Sequence, residues 1–180
     1  AEKIEEICEQ TEGVVSIANY NCPGQLVITG VRSAVEEAAE ALRASGARRT
    51  VMLNVSGPFH SPLLAGAAEE LERELLQTPF SDPDIPYITN VTAQPVTAKE
   101  PIRALLAQQI CAPVRWMQSM QRMLADGVDT FVEIGAGKTL AGFLRKLDRN
   151  VNVYPVTTWE EAQTVIAKLE IRNKKLWRSA

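Results

Sequence analysis

Apolar and polar positions follow one spacing in some stretches of this chain and another elsewhere, and the changes mark its elements. In 2-EKIEEICEQ-10, Ile4, Ile7 and Cys8 recur at helical spacing with acids between them, which predicts a short amphipathic helix. The period then shortens. Segments 14-VVSIANY-20 and 25-QLVITG-30 are rich in β-branched residues and flank 21-NCPG-24, the pattern of a hairpin with its turn. A helix is expected over 34–45, N-capped by Ser33 with Glu36 at the capping-box offset and stopped by Gly46. The run 50-TVMLNVS-56 is expected to be a strand, which makes residues 1–56 a split βαβ, ferredoxin-like unit lacking its first strand.

Beyond residue 60 the pattern is longer and more helical. Residues 63-LLAGAAEELERELLQ-77 set a leucine and alanine stripe against acids, and 78-TPFSDPD-84 ends it. A short strand near 86–91 precedes helices near 99–110 and 113–127. Residues 129-DTFVEIG-135 read as a buried strand entering 135-GAGKTLAGFLRKL-147, a glycine turn that opens a helix. A strand at 151–156 and a helix at 159–170 follow. Strands alternating with helices predict an α/β fold with a parallel sheet in this half.

Composition narrows the function. Hydrophobic residues are 46% of the 180 and charged residues 23%, which fits a globular chain with a core and excludes disorder. A formal net charge of −3 gives no general attraction to phosphate backbones, and the compact basic clusters are Arg48-Arg49 and 172-RNKKLWRS-179. No nucleic-acid or membrane partner is expected. Cys8, Cys22 and Cys111 are too scattered for a disulfide framework or a zinc site, so a reducing, cytoplasmic setting is expected.

The turn 135-GAGKT-139 ends like a Walker A loop. Its first glycine would fall on Val132, and G-x-G-x-x-G fails at Leu140, so a strand-to-helix packing turn is expected there and not a phosphate cradle. His60 is the single histidine. Gly57-Pro58 breaks the preceding strand and Ser61-Pro62 can cap and start the next helix, which sets His60 at a rigid junction. Imidazole exchanges protons near neutral pH, so a general base is a candidate role beside that of a plain junction residue.

Four stretches, 15-VSIANYNCPGQLVITG-30, 56-SGPFHSP-62, 109-QICAPVRW-116 and 132-VEIGAGKTLAGFLRK-146, together resemble the malonyl-CoA:acyl carrier protein transacylase family. The similarity runs from about Glu2 to Leu169. The resemblance implies an α/β architecture in which a ferredoxin-like small subdomain (residues 1–56, incomplete) precedes the C-terminal part of an α/β-hydrolase-like large subdomain (residues 57–180). It also implies that His60 activates a serine, and that the main-chain carbonyl of Gln109 orients the histidine. Asn19 and Asn21 match asparagines lining the cleft, although turn-forming residues of this kind could equally be structural. Phe59, just before the histidine, implies a preference for malonyl over branched acyl groups. Arg48 and Arg49 match a basic pair facing the acyl carrier protein, or else form a solvated strand start. No metal or redox cofactor is implied; the substrates would be malonyl-CoA and phosphopantetheinylated acyl carrier protein.

The sequence departs from that family in lacking G-H-S-x-G, the elbow that carries the serine. Ser56 and Ser61 flank His60 too closely to replace it. The expectation is therefore a C-terminal portion that is inactive alone and whose further partner is the missing N-terminal half. The rival readings are an acyltransferase domain of a polyketide or fatty-acid synthase with another acyl group, and a non-catalytic carrier-binding module.

Overall fold

The computed structural model describes the backbone of residues 1–178 and the side chains of residues 1–171; the side chains of the basic tail 172–179 lie outside the described residues. The chain is a mixed α/β protein of two compact units, Ala1–Arg122 and Met123–Ala180.

The first unit opens with α1 (Glu2–Gln10), then β1 (Val15–Cys22) and β2 (Gln25–Gly30), an antiparallel hairpin closed at Pro23-Gly24. Helix α2 (Arg32–Ala44) follows. Ile7 and Cys8 of α1, Val15 of β1, and Ala34, Ala38 and Leu42 of α2 form one buried cluster, to which Ile4 and Ile28 add. The periodic apolar positions of both helices thus meet over the hairpin. Burial of side chains such as Leu42 contributes about 1.5–3 kcal/mol each.

Gly46 ends α2 as its position predicts. At φ +97° it occupies left-handed space, Gly46 N–H donates to the Arg43 carbonyl and Ala47 N–H to that of Leu42, the paired bonds of a Schellman motif. The start of α2 differs from expectation. Val31 and not Ser33 is the N-cap, and no side chain caps the helix. Gly30, at φ +154°, lies so close to the neighbouring strand that a Cβ there would sit 2.0 Å from the Val14 carbonyl oxygen. Val31 N–H is held by that same oxygen at 2.8 Å, and Val35 N–H returns to Val31 at 2.9 Å. The strand exit thereby fixes where the helix begins, and Glu36 pairs with Arg32 on the surface instead of closing a capping box.

The strand expected at 50–56 does not form. Residues 51–55 are irregular, and Val51, Met52, Leu53 and Val55 are all exposed. A β-branched run becomes a strand only when a neighbouring strand takes its backbone hydrogen bonds, and among the described residues no strand pairs with it; Val55 N–H turns back to the Leu53 carbonyl at 3.1 Å instead. The sheet of this region is accordingly the two-stranded hairpin alone.

A 3-10 turn (Pro62–Leu64) leads into α3 (Ala65–Leu75). The short strands β3 (Tyr87–Ile88) and β4 (Pro95–Val96) pair antiparallel, followed by α4 (Ile102–Gln108) and α5 (Trp116–Ala125), within which the unit boundary falls. Arg103 Nε donates to the Leu75 carbonyl at 2.9 Å, tying α4 to the end of α3.

The second unit contains β5 (Thr130–Ile134), α6 (Thr139–Leu147), β6 (Asn152–Val156) and α7 (Trp159–Arg178), with β5 and β6 parallel in continuous register. Ala141, Leu144, Val156 and Val165 are buried. The expectation that 129–135 is a buried strand fails for its burial: no residue of this stretch is buried, and Val132 and Ile134 are 39% and 82% exposed. Parallel sheets are ordinarily covered on both faces, and two strands with their helices cover only part of one.

Tyr20 fastens the hairpin to α1: the residue is 5% exposed and its hydroxyl donates to the Glu5 carboxylate. Burial, the hydrogen bond to Glu5 and the charge of Glu5 push the phenol up to about 12. An unfolded phenol ionises near pH 10, so this contribution to stability is complete below about pH 10 and lost as pH rises through about 12. Urea denaturation midpoints of the protein are expected to fall across that window. Tyr20→Phe is expected to flatten the fall, and equal slopes for the two proteins would exclude this account.

Candidate active site

His60 lies where the sequence sets it, at the junction between the 51–55 run and the 3-10 turn. Its backbone is left-handed, φ +59°, a conformation that histidine visits more often than most non-glycine residues but still at a cost of about 1–2 kcal/mol. The following residues hold it there. Ser61 is fully buried, its Oγ accepts from Leu63 N–H at 3.1 Å, its carbonyl accepts from Leu64 N–H at 3.0 Å, and Pro62 presets the first turn. Ser61 is thus occupied as a cap.

The ring nitrogen Nδ1 of His60 stands 2.8 Å from the main-chain carbonyl oxygen of Gln109, across 49 residues of sequence. A carbonyl only accepts, so Nδ1 carries the hydrogen and donates it. The other nitrogen, Nε2, is left with its lone pair, ready to take a proton. Gln109 caps the C-terminal end of α4, where a helix leaves carbonyls without intrahelical partners. His60 supplies the donor.

The stretch after Gln109 is pinned to the hairpin. Val114 N–H donates to the Ala18 carbonyl at 2.7 Å and Tyr20 N–H to the Val114 carbonyl at 2.9 Å, a one-residue parallel bridge opposite Asn19. Arg115 N–H donates to the Asn90 carbonyl at 3.0 Å, and its guanidinium stands over the Tyr20 ring at 5.5 Å. Asn90 Nδ2 in turn lies 3.5 Å from Gln109 Oε1. A cavity of about 140 Å³ adjoins these two amides and is lined also by Tyr87, Thr89 and Leu105. The buried Tyr87 hydroxyl has no hydrogen-bond partner among the described residues, and burial raises its phenol. A larger groove, about 600 Å³, is lined by Leu76, Phe80, Lys99 and Arg103 and shares no residue with this cavity.

The structure therefore joins His60 to Gln109 and sets half-buried Asn19 beside Val114, a few residues further along. Asn21, also half-buried, lies on the same strand. Phe59 adjoins His60 in the chain, yet its side chain is 53% exposed. Arg48 and Arg49 are exposed in the segment after α2. Sequence reasoning missed Asn90, which follows a two-residue strand and reaches its partner only through tertiary folding.

Sequence reasoning also missed Glu133. Its carboxylate accepts from Leu140 N–H at 3.1 Å and from Ala141 N–H at 2.8 Å, filling the N-terminus of α6. Those are the amides an anion would use, so the glycine turn is closed by the chain's own acid and no phosphate seat is left. The available signal was a carboxylate two residues before a glycine turn that opens a helix. Glu133→Ala should cost about 0.5–2 kcal/mol, the usual value of a lost N-cap, and speed amide exchange in the first turn of α6. Unchanged exchange at Leu140 and Ala141 would show that the cap does not hold the turn.

The family model described as acyl transferase domain matches residues 2–174. The malonyl CoA-acyl carrier protein transacylase of Bacillus subtilis (strain 168) is 40% identical over 176 residues, 96% of this chain and 56% of that protein. The like-named protein of Staphylococcus aureus (strain COL) is 36% identical over 165 residues, 90% of this chain and 54% of that one. Among solved structures, the acyl-carrier-protein-S-malonyltransferase of Bartonella henselae superposes with a TM-score of 0.89 at 40% identity, covering 94% of this chain and 55% of that one. A malonyl-transacylase solved in complex with its type II PKS acyl-carrier protein gives 0.89 at 33% identity, with 93% and 55% coverage. The chain spans about half the length of the relatives it matches. Motifs in order, a matching fold and a family model that spans nearly all of the sequence agree, and the chain belongs to the acyl transferase domain family.

Proposed function

We propose that this chain contributes the general base and its orienting carbonyl to a malonyl-CoA:acyl carrier protein malonyltransferase of fatty-acid biosynthesis. The observation that carries the reading is the 2.8 Å contact between His60 Nδ1 and the Gln109 carbonyl, which fixes the tautomer a base requires. The serine nucleophile would come from residues outside these 180, since no G-H-S-x-G occurs among them.

In this reading His60 serves both half-reactions. The serine hydroxyl attacks the malonyl thioester carbonyl while its proton passes to His60 Nε2. The carbon–sulfur bond breaks, and the departing coenzyme A sulfur takes that proton. In the second half, the phosphopantetheine thiol of the carrier gives its proton to Nε2 and attacks the malonyl ester, and the serine oxygen leaves with the proton. No redox or metal chemistry enters this sequence. The B. subtilis relative and the complex with a carrier protein, by their names, support malonyl-CoA and acyl carrier protein as substrate and partner.

In this reading residues 1–56 belong to a ferredoxin-like small subdomain and 57–180 to an α/β-hydrolase-like large one. Asn19 and Asn21 line the substrate cleft, and Phe59 limits the size of the acyl group. The exposure of Phe59 supports a role outside core packing. The exposed run 51–55 and Ile134 on a two-stranded parallel sheet are surfaces that strands of the remaining half would cover. The three free cysteines support a reducing, cytoplasmic setting, and among the described residues no helix is long and apolar enough to cross a membrane.

Intact mass spectrometry tests the assignment. The 180-residue chain alone should form no malonyl adduct; with the complementary half supplied, in cis or as a separate chain, an adduct should appear. In that restored enzyme, His60→Ala should slow acylation by roughly 10²–10⁴-fold with the fold intact. An adduct on the isolated chain, or full activity after His60→Ala, would refute the role of base. Fold and solubility without any adduct would favour a carrier-binding module.

Arg48 and Arg49 supply the second test. Both are exposed and close in sequence, which suits docking of an acidic carrier. Changing both to alanine should slow transfer to the carrier more than loading from malonyl-CoA, with added salt acting in the same sense. Equal slowing of both half-reactions would remove the pair from the docking surface.

A further inference from the structure

We propose that Asn90 is a positioning residue for proton transfer at His60, acting through the side chain of Gln109. The proposal rests on the reading of His60 as the base. The oxygen that orients the imidazole belongs to the C-cap residue of α4, and helix ends fray. With only the helix to steer it, this peptide would swing with the final turn and carry the imidazole along. The Gln109 side chain gives the same residue a second hold, because its Oε1 lies 3.5 Å from Asn90 Nδ2.

Asn90 is itself well anchored. It sits in the turn from β3 to β4, where Thr89 N–H donates to the Gln94 carbonyl at 3.2 Å and Ala93 N–H to the Thr89 carbonyl at 2.9 Å. Its own carbonyl accepts from Arg115 N–H at 3.0 Å, next to the Val114 bridge to β1. The Asn90 main chain is thus fixed to the strip that continues from Gln109, and its carboxamide returns to Gln109 itself. The loop closes on the residue whose carbonyl holds His60. A separation of 3.5 Å is long for a hydrogen bond, so the expected effect is a modest one on rate and not a loss of activity. The cavity beside both amides leaves space for a shorter side chain without repacking.

The test is made in the intact enzyme containing this chain, by rapid-quench measurement of malonyl loading. Asn90→Ala and Gln109→Ala should each lower the loading rate at saturating malonyl-CoA by roughly 3- to 10-fold, with KM and melting temperature unchanged. The double variant should be no slower than either single one, because both remove the same contact. The His60 Nδ1 proton should exchange with water faster in Asn90→Ala, read by NMR with 15N-labelled histidine. Gln109→Ala removes the contact from its other side and decides the matter if Asn90→Ala does not fold. A wild-type loading rate in the singles, or losses that multiply in the double variant, would overturn the proposal. His60→Ala separates the two claims. If it disables loading while Asn90→Ala loads at the wild-type rate, the positioning role alone falls; if it loads like wild type, the base and the positioning role fall together.

Discussion

One hydrogen bond, from His60 Nδ1 to the carbonyl of Gln109, gives the rest of the site its meaning. It selects the tautomer, fixes the plane of the ring and leaves a single nitrogen for chemistry. It also imposes a constraint, because donor and acceptor lie 49 residues apart and each must be delivered by a separate piece of backbone. The donor arrives on a strained junction stiffened by Pro62 and the buried Ser61 cap; the acceptor arrives at the end of a seven-residue helix. Neither piece is large enough to be rigid alone.

Rigidity comes from the strip that follows the acceptor. Val114 is bonded on both its N–H and its carbonyl to β1, and Arg115 reaches Asn90 through its backbone and the Tyr20 ring through its guanidinium. Tyr20 is tied onward to Glu5 on α1. The hairpin therefore does more than bury Val15 and Ile28 against two helices: its outer edge is the rail on which the Gln109 segment is hung. A substitution that loosens the hairpin would reach the imidazole through this route, with no contact to it.

The legible parts of the sequence were those governed by local rules. Helix α1, the hairpin, the Schellman stop at Gly46 and the Ser61-Pro62 start each depend on neighbours within a few positions, and each formed. The pairing of His60 with Gln109 was legible only through the family resemblance, since no spacing rule connects them. Failures occurred where a distant partner decides the outcome. Residues 51–55 have the composition of a strand but no ladder to join, and Ser33 was displaced as a cap because the tight passage at Gly30 starts the helix at Arg32. Asn90 and Glu133 were overlooked for a similar reason: their partners lie 19 and seven to eight residues away, brought near by a turn or by tertiary packing.

The left-handed backbone of His60 can be weighed in these terms. It costs about 1–2 kcal/mol, while a hydrogen bond returns a net 0.5–1.5 kcal/mol. The bond to Gln109 alone scarcely offsets the strain, and the Ser61 cap adds a comparable amount. A glycine would carry no such strain but offers no imidazole, and a histidine on a regular helix would carry none either. What the junction supplies is direction. A helix sends its side chain back over the preceding turn, whereas a residue between an irregular run and a proline-led turn can point across to another element. The strain is the cost of aiming a single imidazole at a carbonyl that the sequence keeps far away, and the bonds around Ser61, Val114 and Asn90 are what allow the fold to sustain it.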